Sequence, residues 1–480
     1  MLFVVVVLAL YSLCPVRLRR SFLLIASYAF YCTWSVKAAA AMAGATVLTY
    51  FAGKWVGDTQ SPHRAKITAL FAVCALTGYL VSFKIGASGM FAEPSRLAMP
   101  LGLSYYTFKL ISYVMDAYWG KIEIERRLIP FAAYVAFFPQ IVAGPIQRPG
   151  DFLSQAPLSR TAVSEGLPRI AWGLAKKLVV ADQLAPAVNY VFAHVTALHG
   201  VELLAAFYLF PLQLYADFSG LTDIAIGTGR LFGIESPENF NRPFTAATIA
   251  GFWRRWHMSL TSWLADYVFT PLRMATRTAG NAGLALSITL NMVAIGLWHG
   301  LTWPYFCFGL LHAGYLVVET LTSRRRMRFF KSRPELDRVG DWFGSVLVFH
   351  LVAAAFVFFR AQSVADAAWV LSHMWVGIGS FASGLARFAV TVSVRPLAIG
   401  LAGYAVLALA ERFRPDGWFR RIGKALPQRV QQWARPASLA YLVFIVFLLL
   451  TASGEAERPF IYGRFLEPSH LCLKVSAAFY

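Results

Sequence analysis

The sequence predicts an all-α polytopic membrane protein. Of its 480 residues, 58% are hydrophobic and only 14% are charged, and the mean hydropathy is +0.56. A soluble globular protein carries about a quarter charged residues. The apolar residues are also gathered into runs along the chain, as expected of a chain that crosses a bilayer many times. These observations exclude an ordinary soluble enzyme and indicate a bundle of membrane helices.

The formal net charge of +20, from 44 Lys and Arg against 24 Asp and Glu, supports the same class. The basic residues lie in short clusters between apolar runs, as the positive-inside rule describes, and not on a face suited to nucleic acid. We therefore predict membrane lipids, and no nucleic acid, as partners. The clusters at 323–333 and 412–435 are predicted to be cytoplasmic. Residues 361–394 and the chain after Thr451 are predicted to lie on the opposite side.

The apolar runs predict ten to twelve crossings. The run 1–13 is followed, not preceded, by the basic segment VRLRR, which is typical of a first membrane segment with an outside N-terminus and not of a cleaved signal peptide. Several runs are shorter than the roughly 20 residues of a straight span, so broken, tilted or re-entrant segments are expected. No repeat of 20 to 50 residues is evident, so one membrane domain is predicted over residues 1–480. The further runs are 21–34, 38–53, 67–84, 98–119, 129–147, 170–193, 202–232, 282–298, 301–322, 342–360, 396–411 and 436–452.

The stretch from Asn239 to Glu319 contains three histidines in apolar surroundings. Ionisable residues at membrane depth are functional candidates by default. On a helix over 252–269, His257 falls on the apolar and aromatic arc, opposite two arginines, which predicts an amphipathic interfacial helix with His257 pointing inward. A core histidine bonded to a backbone carbonyl explains the same pattern.

The second histidine, His299, is flanked by Gly296 and Gly300. If the basic residues on both sides are cytoplasmic, the neighbouring runs form an out-and-back pair with His299 at the turn, displaced toward the extracytoplasmic side. A helix C-cap is the alternative role for His299. The third histidine, His312, shares a helix face with Glu319, which predicts a helix-packing hydrogen bond.

The sequence lacks the common catalytic motifs GxSxG, HExxH and the P-loop. Its five cysteines are scattered without metal-ligand spacing, so no metal and no cofactor are predicted. An intramembrane histidine can serve as a general base that removes a proton from a hydroxyl as the hydroxyl attacks a thioester.

Several segments together resemble the membrane-bound O-acyltransferase family, specifically its bacterial alginate O-acetylation branch. They are NFNRPF at 239–244, FWRRWHMSLTSWLADYVFTPL at 252–272, GLWHG at 296–300, GLLHAGYLVVE at 309–319, FFPQIVAGPIQRP at 137–149, QLYADFSGLTDIAIGTGRLFGI at 213–234 and RPFIYGRF at 458–465. The resemblance covers most of the chain. It implies a helical bundle with a central tunnel in which a cytoplasmic acyl donor meets an acceptor from the other side.

The resemblance also implies which residues form the active site. The invariant histidine of the family falls on His299 and its second polar position on His257. The motif positions that line the pocket or bind substrate would be Trp298, Asn241, Asp217 and Trp256. The expected function is acetyl transfer from a cytoplasmic donor, acetyl-CoA, for extracytoplasmic polysaccharide O-acetylation. The expected location is the bacterial inner membrane.

Because the chain has no soluble domain large enough for transfer to polymer, a periplasmic SGNH-type acetyltransferase is expected as a partner. Three alternatives stay open at this point. A relative within the family would acylate peptidoglycan, cellulose or teichoic acid. A transporter or flippase would use the histidines as a proton path, and a membrane scaffold would only dock the periplasmic enzyme.

Overall fold

The computed structural model describes residues 2–88, 99–155, 163–377, 379 and 381–412. Within these ranges the chain is mainly helical and contains no strand, so the predicted all-α class is confirmed. The run 436–452, most of the basic stretch 412–435 and the motif at 458–465 lie outside the described residues. The helices are α1 Leu2–Leu13, α2 Arg19–Trp34, α3 Val36–Asp58, α4 Pro62–Ser88, α5 Leu103–Tyr118, α6 Leu128–Ala136, α7 Phe138–Ile141, α8 Pro149–Leu153, α9 Val163–Ala175, α10 Asp182–Ala193, α11 Val201–Leu231, α12 Ile249–Trp253, α13 Met258–Leu264, α14 Thr270–Ala275, α15 Gly280–His299, α16 Trp303–Lys331, α17 Asp337–Arg360, α18 Val364–His373, α19 Phe381–Val392 and α20 Val394–Arg412.

Seven stretches of the described chain are helices long and apolar enough to cross a membrane, as a multi-pass membrane protein requires. Other apolar helices, such as α1 and α19, are shorter than the roughly 20 residues of a straight span. The number of ten to twelve crossings therefore stays a prediction. The seven stretches are Val36–Asp58, Pro62–Gly86, Val201–Leu231, Arg277–His299, Trp303–Lys331, Arg338–Arg360 and Val394–Arg412.

The described residues form two compact units. The first comprises 2–174 with 220–238, and the second comprises 175–219 with 239–412. Helix α11 contributes its beginning to the second unit and its end to the first. Because one continuous helix belongs to both, the units do not decide how many domains the chain has, and a single membrane domain over 1–480 stays a prediction.

In the first unit, a buried lysine of α5 is hydrogen-bonded to α6 and α7. Lys109 is 2% exposed, and its Nζ donates to the carbonyl oxygen of Tyr134 at 2.9 Å and to Oε1 of Gln140 at 2.8 Å. The Gln140 amide in turn donates to Oε1 of Gln147 at 2.6 Å and to Oγ of Ser236 at 2.8 Å. The buried side chains of Lys109 and Gln140 thus find their hydrogen-bond partners within the first unit, as burial requires.

In the second unit, α15 and α16 form a close antiparallel pair. A Cβ on Gly296 would lie 2.2 Å from the carbonyl oxygen of Tyr305, and one on Gly309 would lie 2.6 Å from that of Met292. Backbones approach this closely only where one partner has no side chain. The predicted turn at His299 between two paired helices is confirmed, because α15 ends at His299 and α16 begins at Trp303. The side of the membrane on which this turn lies stays a prediction.

We expect Gly309→Ala to destabilise the protein by about 1–3 kcal/mol, because the added methyl group meets rigid backbone of α15. Gly314→Ala is the matched control, since it lies in the same helix and its Cβ would meet nothing within 4 Å. Thermal unfolding of the two variants in detergent measures the effect. Equal melting temperatures for both variants would show that the α15–α16 contact is not tight.

Candidate active site

His257 occupies a break between two short helices. Helix α12 ends at Trp253 and α13 begins at Met258, and His257 between them has φ 44° and ψ 52°, in the left-handed region. The single helix predicted over 252–269 is therefore wrong. Thr248 caps α12 through its side chain, and the left-handed residue turns the chain into a new helix axis.

The inward orientation predicted for His257 is nevertheless confirmed, since the residue is 2% exposed. Its ring packs edge-on against Phe218, with centroids 4.8 Å apart, and against Trp298 at 5.7 Å. Its Nε2 atom is buried and has no hydrogen-bond partner among the described residues. Desolvation by burial lowers the pKa of His257 to about 3. The ring is therefore neutral at physiological pH and has a ring nitrogen available to a substrate.

His299 lies at the carboxyl end of α15 in an aromatic surround. Its ring centroid is 4.6 Å from that of Trp298, 4.7 Å from that of Phe359 and 6.0 Å from that of Tyr305. In contrast to His257, the residue is only half-buried. Since Tyr305 lies in α16 and Phe359 in α17, three helices fix the position of this imidazole.

The two histidines meet at Trp298. The indole packs against His257 on the one hand and against His299 on the other, and the residue is half-buried. Residues far apart in the sequence are thereby brought into one site, with an aromatic surface between the two imidazoles. Trp298 is thus well placed for its predicted substrate-binding role.

His312 and Glu319 connect α16 to α12, as their shared helix face predicts. Nδ1 of His312 accepts a hydrogen bond from Nε1 of Trp253 at 3.3 Å. Glu319 accepts from the backbone N–H groups of Ile249 at 2.5 Å and of Ala250 at 3.1 Å. A carboxylate at a helix N-terminus satisfies donors that lack an intrahelical partner. The helix-packing role predicted for both residues is confirmed.

Trp256 belongs to an aromatic cluster next to the histidines. The indole is 6% exposed and packs against Phe240 and Phe356, each with centroids 5.1 Å away. Tyr215 of α11 contacts the same cluster. The cluster fixes the residue that precedes His257, and the substrate-binding role of Trp256 stays a prediction.

Asp217 lies in a buried ion pair. It is 1% exposed, and its Oδ1 lies 2.9 Å from Nζ of Lys177, which is also 2.8 Å from Oδ1 of Asp182. Lys177 is in the π-helical turn Lys176–Ala181. The pair fixes α11 one residue before Phe218, which contacts His257. The contacts of Asp217 are structural, and its substrate-binding role stays a prediction.

Asn241 and Asn239, two residues apart in the motif NFNRPF, differ in burial and in hydrogen bonding. The side chain of Asn241 is exposed, and its backbone N–H donates to the carbonyl oxygen of Arg255 at 2.9 Å. Asn239 is fully buried and bonded to Ser259. Sequence reasoning selected Asn241 and missed both Asn239 and Lys177. The motif contained a signal for Asn239, but periodicity does not tell which asparagine of a loop faces inward.

No group of three or more His, Cys, Asp or Glu residues that could hold a metal ion occurs within the described ranges. The four cysteines among the described residues are free thiols. The ring contacts of the two histidines are with aromatic side chains, among them Phe218, Trp298 and Phe359. This arrangement suits proton transfer by imidazole in a largely apolar site.

A family profile and individual relatives both relate the chain to membrane O-acyltransferases. The sequence profile of the membrane-bound O-acyltransferase family matches residues 126–361. The chain is 33% identical to a probable alginate O-acetylase AlgI of Pseudomonas putida, over 97% of this chain and 98% of the relative. It is 35% identical to that of Azotobacter vinelandii, over 79% and 76% of the two chains. A peptidoglycan O-acetyltransferase of Helicobacter pylori is 31% identical over 73% of each chain.

The low pKa of His257 has a consequence for stability. The folded state disfavours the proton, whereas the unfolded chain takes it up near the ordinary pKa of 6.5, so the stabilisation is complete above that pH and is lost as the pH falls toward 3. We expect the wild type to lose roughly 2 kcal/mol more than His257→Gln between pH 6.5 and pH 5. Melting temperatures of both proteins across pH 5 to 8 provide the measurement. Parallel curves over the whole range would contradict a buried neutral His257.

Proposed function

The chain belongs to the membrane-bound O-acyltransferase family, and we propose that it moves an acetyl group from a cytoplasmic thioester to an extracytoplasmic hydroxyl for O-acetylation of an alginate-like polysaccharide. The observation that carries this proposal is the convergence of His257 and His299 on Trp298. A neutral, desolvated imidazole next to a half-buried one offers a base and a hydrogen-bonding group within one aromatic site. The relatives named as alginate O-acetylases support the choice of polymer.

The reaction proposed is a direct acyl transfer. His299 takes the proton from the acceptor hydroxyl as its oxygen attacks the thioester carbonyl carbon. The carbon–sulfur bond then breaks, and the proton held by His299 passes to the departing thiolate of the donor. The oxygen–acetyl bond is formed, the thioester bond is lost, and the enzyme returns to its starting state. Proton transfer of this kind supplies about 10² to 10⁴ in rate.

His257 assists in this proposal without changing charge. Its burial favours the neutral ring, so the imidazole offers one N–H donor and one acceptor nitrogen. With Nε2 lacking a partner in the described part of the chain, the ring can hydrogen-bond to donor or acceptor at no cost to an existing bond. The surrounding Phe218 and Trp298 exclude water, which strengthens such a bond.

The direction of transfer is supported by helix α16. Its carboxyl end carries the exposed Arg324, Arg325, Arg326 and Arg328, which the positive-inside rule places in the cytoplasm. Phe308, which packs against His299 with centroids 6.2 Å apart, lies about 27 Å from Arg326 along the helix. His299 is thus nearly a full hydrocarbon thickness, about 30 Å, from the basic end. We accordingly place the protein in the bacterial inner membrane with acetyl-CoA as the cytoplasmic donor.

A periplasmic partner of the SGNH type completes the proposal. It would receive the acetyl group on a serine or from a carrier and deliver it to the polymer.

The peptidoglycan O-acetyltransferase relative favours a second candidate, in which the acceptor is peptidoglycan. Acetyl content of alginate-like polymer and of peptidoglycan, isolated separately from a deletion strain, distinguishes the two. Loss of acetyl groups from peptidoglycan alone would overturn the polysaccharide assignment.

We expect His299→Ala to lower the rate of acetyl transfer by about 10²- to 10⁴-fold, because the proton acceptor is removed. Purified protein in vesicles with radiolabelled acetyl-CoA provides the assay. His63→Ala, which replaces an exposed histidine at the start of α4, is the matched control and should match wild type. Unchanged transfer by His299→Ala would refute its role as base and favour a transport or scaffold function.

The membrane orientation is tested by thiol labelling. In a background without the five native cysteines, Arg326→Cys should react with an impermeant maleimide only in inside-out vesicles. Ser372→Cys, in the exposed part of α18, should react only in intact spheroplasts. Labelling of Arg326→Cys from outside would reverse the proposed direction of transfer.

A further inference from the structure

We propose that Asn239 is a positioning residue of the acyl-transfer site, which acts by holding the backbone of His257 in its left-handed conformation. The proposal rests on the proposed function, in that it assigns a role in the same site. It concerns a residue to which neither the helical pattern nor the motif comparison assigned a function.

The conformation of His257 needs support from its surroundings. Only three non-glycine residues of the described chain have a positive φ, namely Arg242, His257 and Ser393. A left-handed residue other than glycine is strained and persists only where neighbouring structure enforces it. Among these three, His257 alone is buried. The structure must therefore contain bonds that compensate for this strain.

Asn239 supplies three such bonds to the two residues that follow His257. The backbone N–H of Met258 donates to the carbonyl oxygen of Asn239 at 2.9 Å. The backbone N–H and the Oγ–H of Ser259 both donate to Oδ1 of Asn239, at 3.1 Å and 2.7 Å. Since a backbone N–H can only donate, the oxygen of the Asn239 amide must face Ser259.

Burial makes these bonds strong. Asn239 is 0% exposed and Ser259 is 4% exposed, so water cannot compete for the donors. Loss of an acceptor from a buried site leaves its donors unsatisfied and without water to replace the lost bond. The Asn239 contacts therefore oppose relaxation of the left-handed residue.

The hydrogen bonds of Asn239 affect the proposed reaction through the position of the His257 ring. If φ at His257 relaxed to a negative value, the Cβ direction would change and the ring would leave its contacts with Phe218 and Trp298. A displacement of about 1 Å in a catalytic group can cost 10²-fold in rate. Because the displacement changes the orientation of the imidazole in the transition state, we expect Asn239 to affect kcat more than KM for the donor.

The role of the Oδ1 atom of Asn239 can be tested separately from that of its Nδ2 atom. Nδ2 is buried and has no partner within the described ranges, so it is not needed to hold Ser259. Asn239→Asp keeps an oxygen acceptor for Ser259 and removes Nδ2, whereas Asn239→Ala removes both. If positioning through Oδ1 is the role, the Asp variant regains most of the activity that the Ala variant loses.

The experiment is a kinetic double-mutant cycle with acetyl-CoA in vesicles. We expect Asn239→Ala to lower kcat by about 10- to 100-fold with little change in KM for the donor. Ser259→Ala, which loses one of the three bonds, should give a smaller decrease. Ser262→Ala is the matched control, because it removes a hydroxyl that donates to the carbonyl oxygen of Ser259 at 3.1 Å and makes no bond to Asn239. In a His257→Ala background, Asn239→Ala should cause no further loss.

A readout independent of turnover is the structure of Asn239→Ala, in which we expect a negative φ at His257. A retained positive φ, or losses that multiply in the double variant, would overturn the proposal. An Asp variant as inactive as the Ala variant, with wild-type melting temperature, would likewise overturn it and assign the role to Nδ2. If the wild type itself transferred no acetyl group, the proposed function would fail, while the structure of the variant would still decide the role of Asn239.

Discussion

The structure depends on one constraint: polar groups inside a membrane protein must find their partners within the protein, because lipid offers none. Helix α16 shows how this works. His312 accepts from Trp253, and Glu319 caps the first turn of α12, so a single membrane helix holds the short helix that leads to His257. The same helix contributes Tyr305 and Phe308 to the surround of His299. Both halves of the site are therefore built on one rigid element, and their relative position follows from its geometry.

One buried polar atom beside Trp298 stands out because it belongs to a proposed catalytic residue. Nε2 of His257 is buried without a partner in the part of the chain that the structure describes. A buried nitrogen without a partner carries a free-energy cost, and at this position it is consistent with the proposed contact to a polar substrate. By contrast, Lys177, Asp217 and Asp182 satisfy one another at a π-helical turn. Lys177 and its two carboxylates thus stabilise the bundle, whereas His257 keeps a ring nitrogen available for the proposed function.

The aromatic residues near the two histidines form two groups with different roles. The cluster of Trp256, Phe240 and Phe356 anchors the chain on the amino-terminal side of His257, and Asn239 holds the chain on its carboxyl-terminal side. Trp298 instead lies between the imidazoles and is only half-buried. The indole contacts both imidazoles. The chemistry proposed for this site therefore depends on desolvation and positioning, in agreement with membership of the membrane-bound O-acyltransferase family.

Composition, glycine positions and helical spacing were sufficient to predict the all-α membrane class, the turn at His299, the inward orientation of His257 and the packing role of His312 and Glu319. All of these depend on local properties of the chain. The break of 252–269 at His257 depends instead on packing, because a left-handed residue is maintained by bonds from another loop that periodicity does not detect. Packing also decided that Asn239 and not Asn241 is buried, and that Asp217 pairs with Lys177. Each of these depends on which side of a segment meets another segment, and that is settled only when the helices pack.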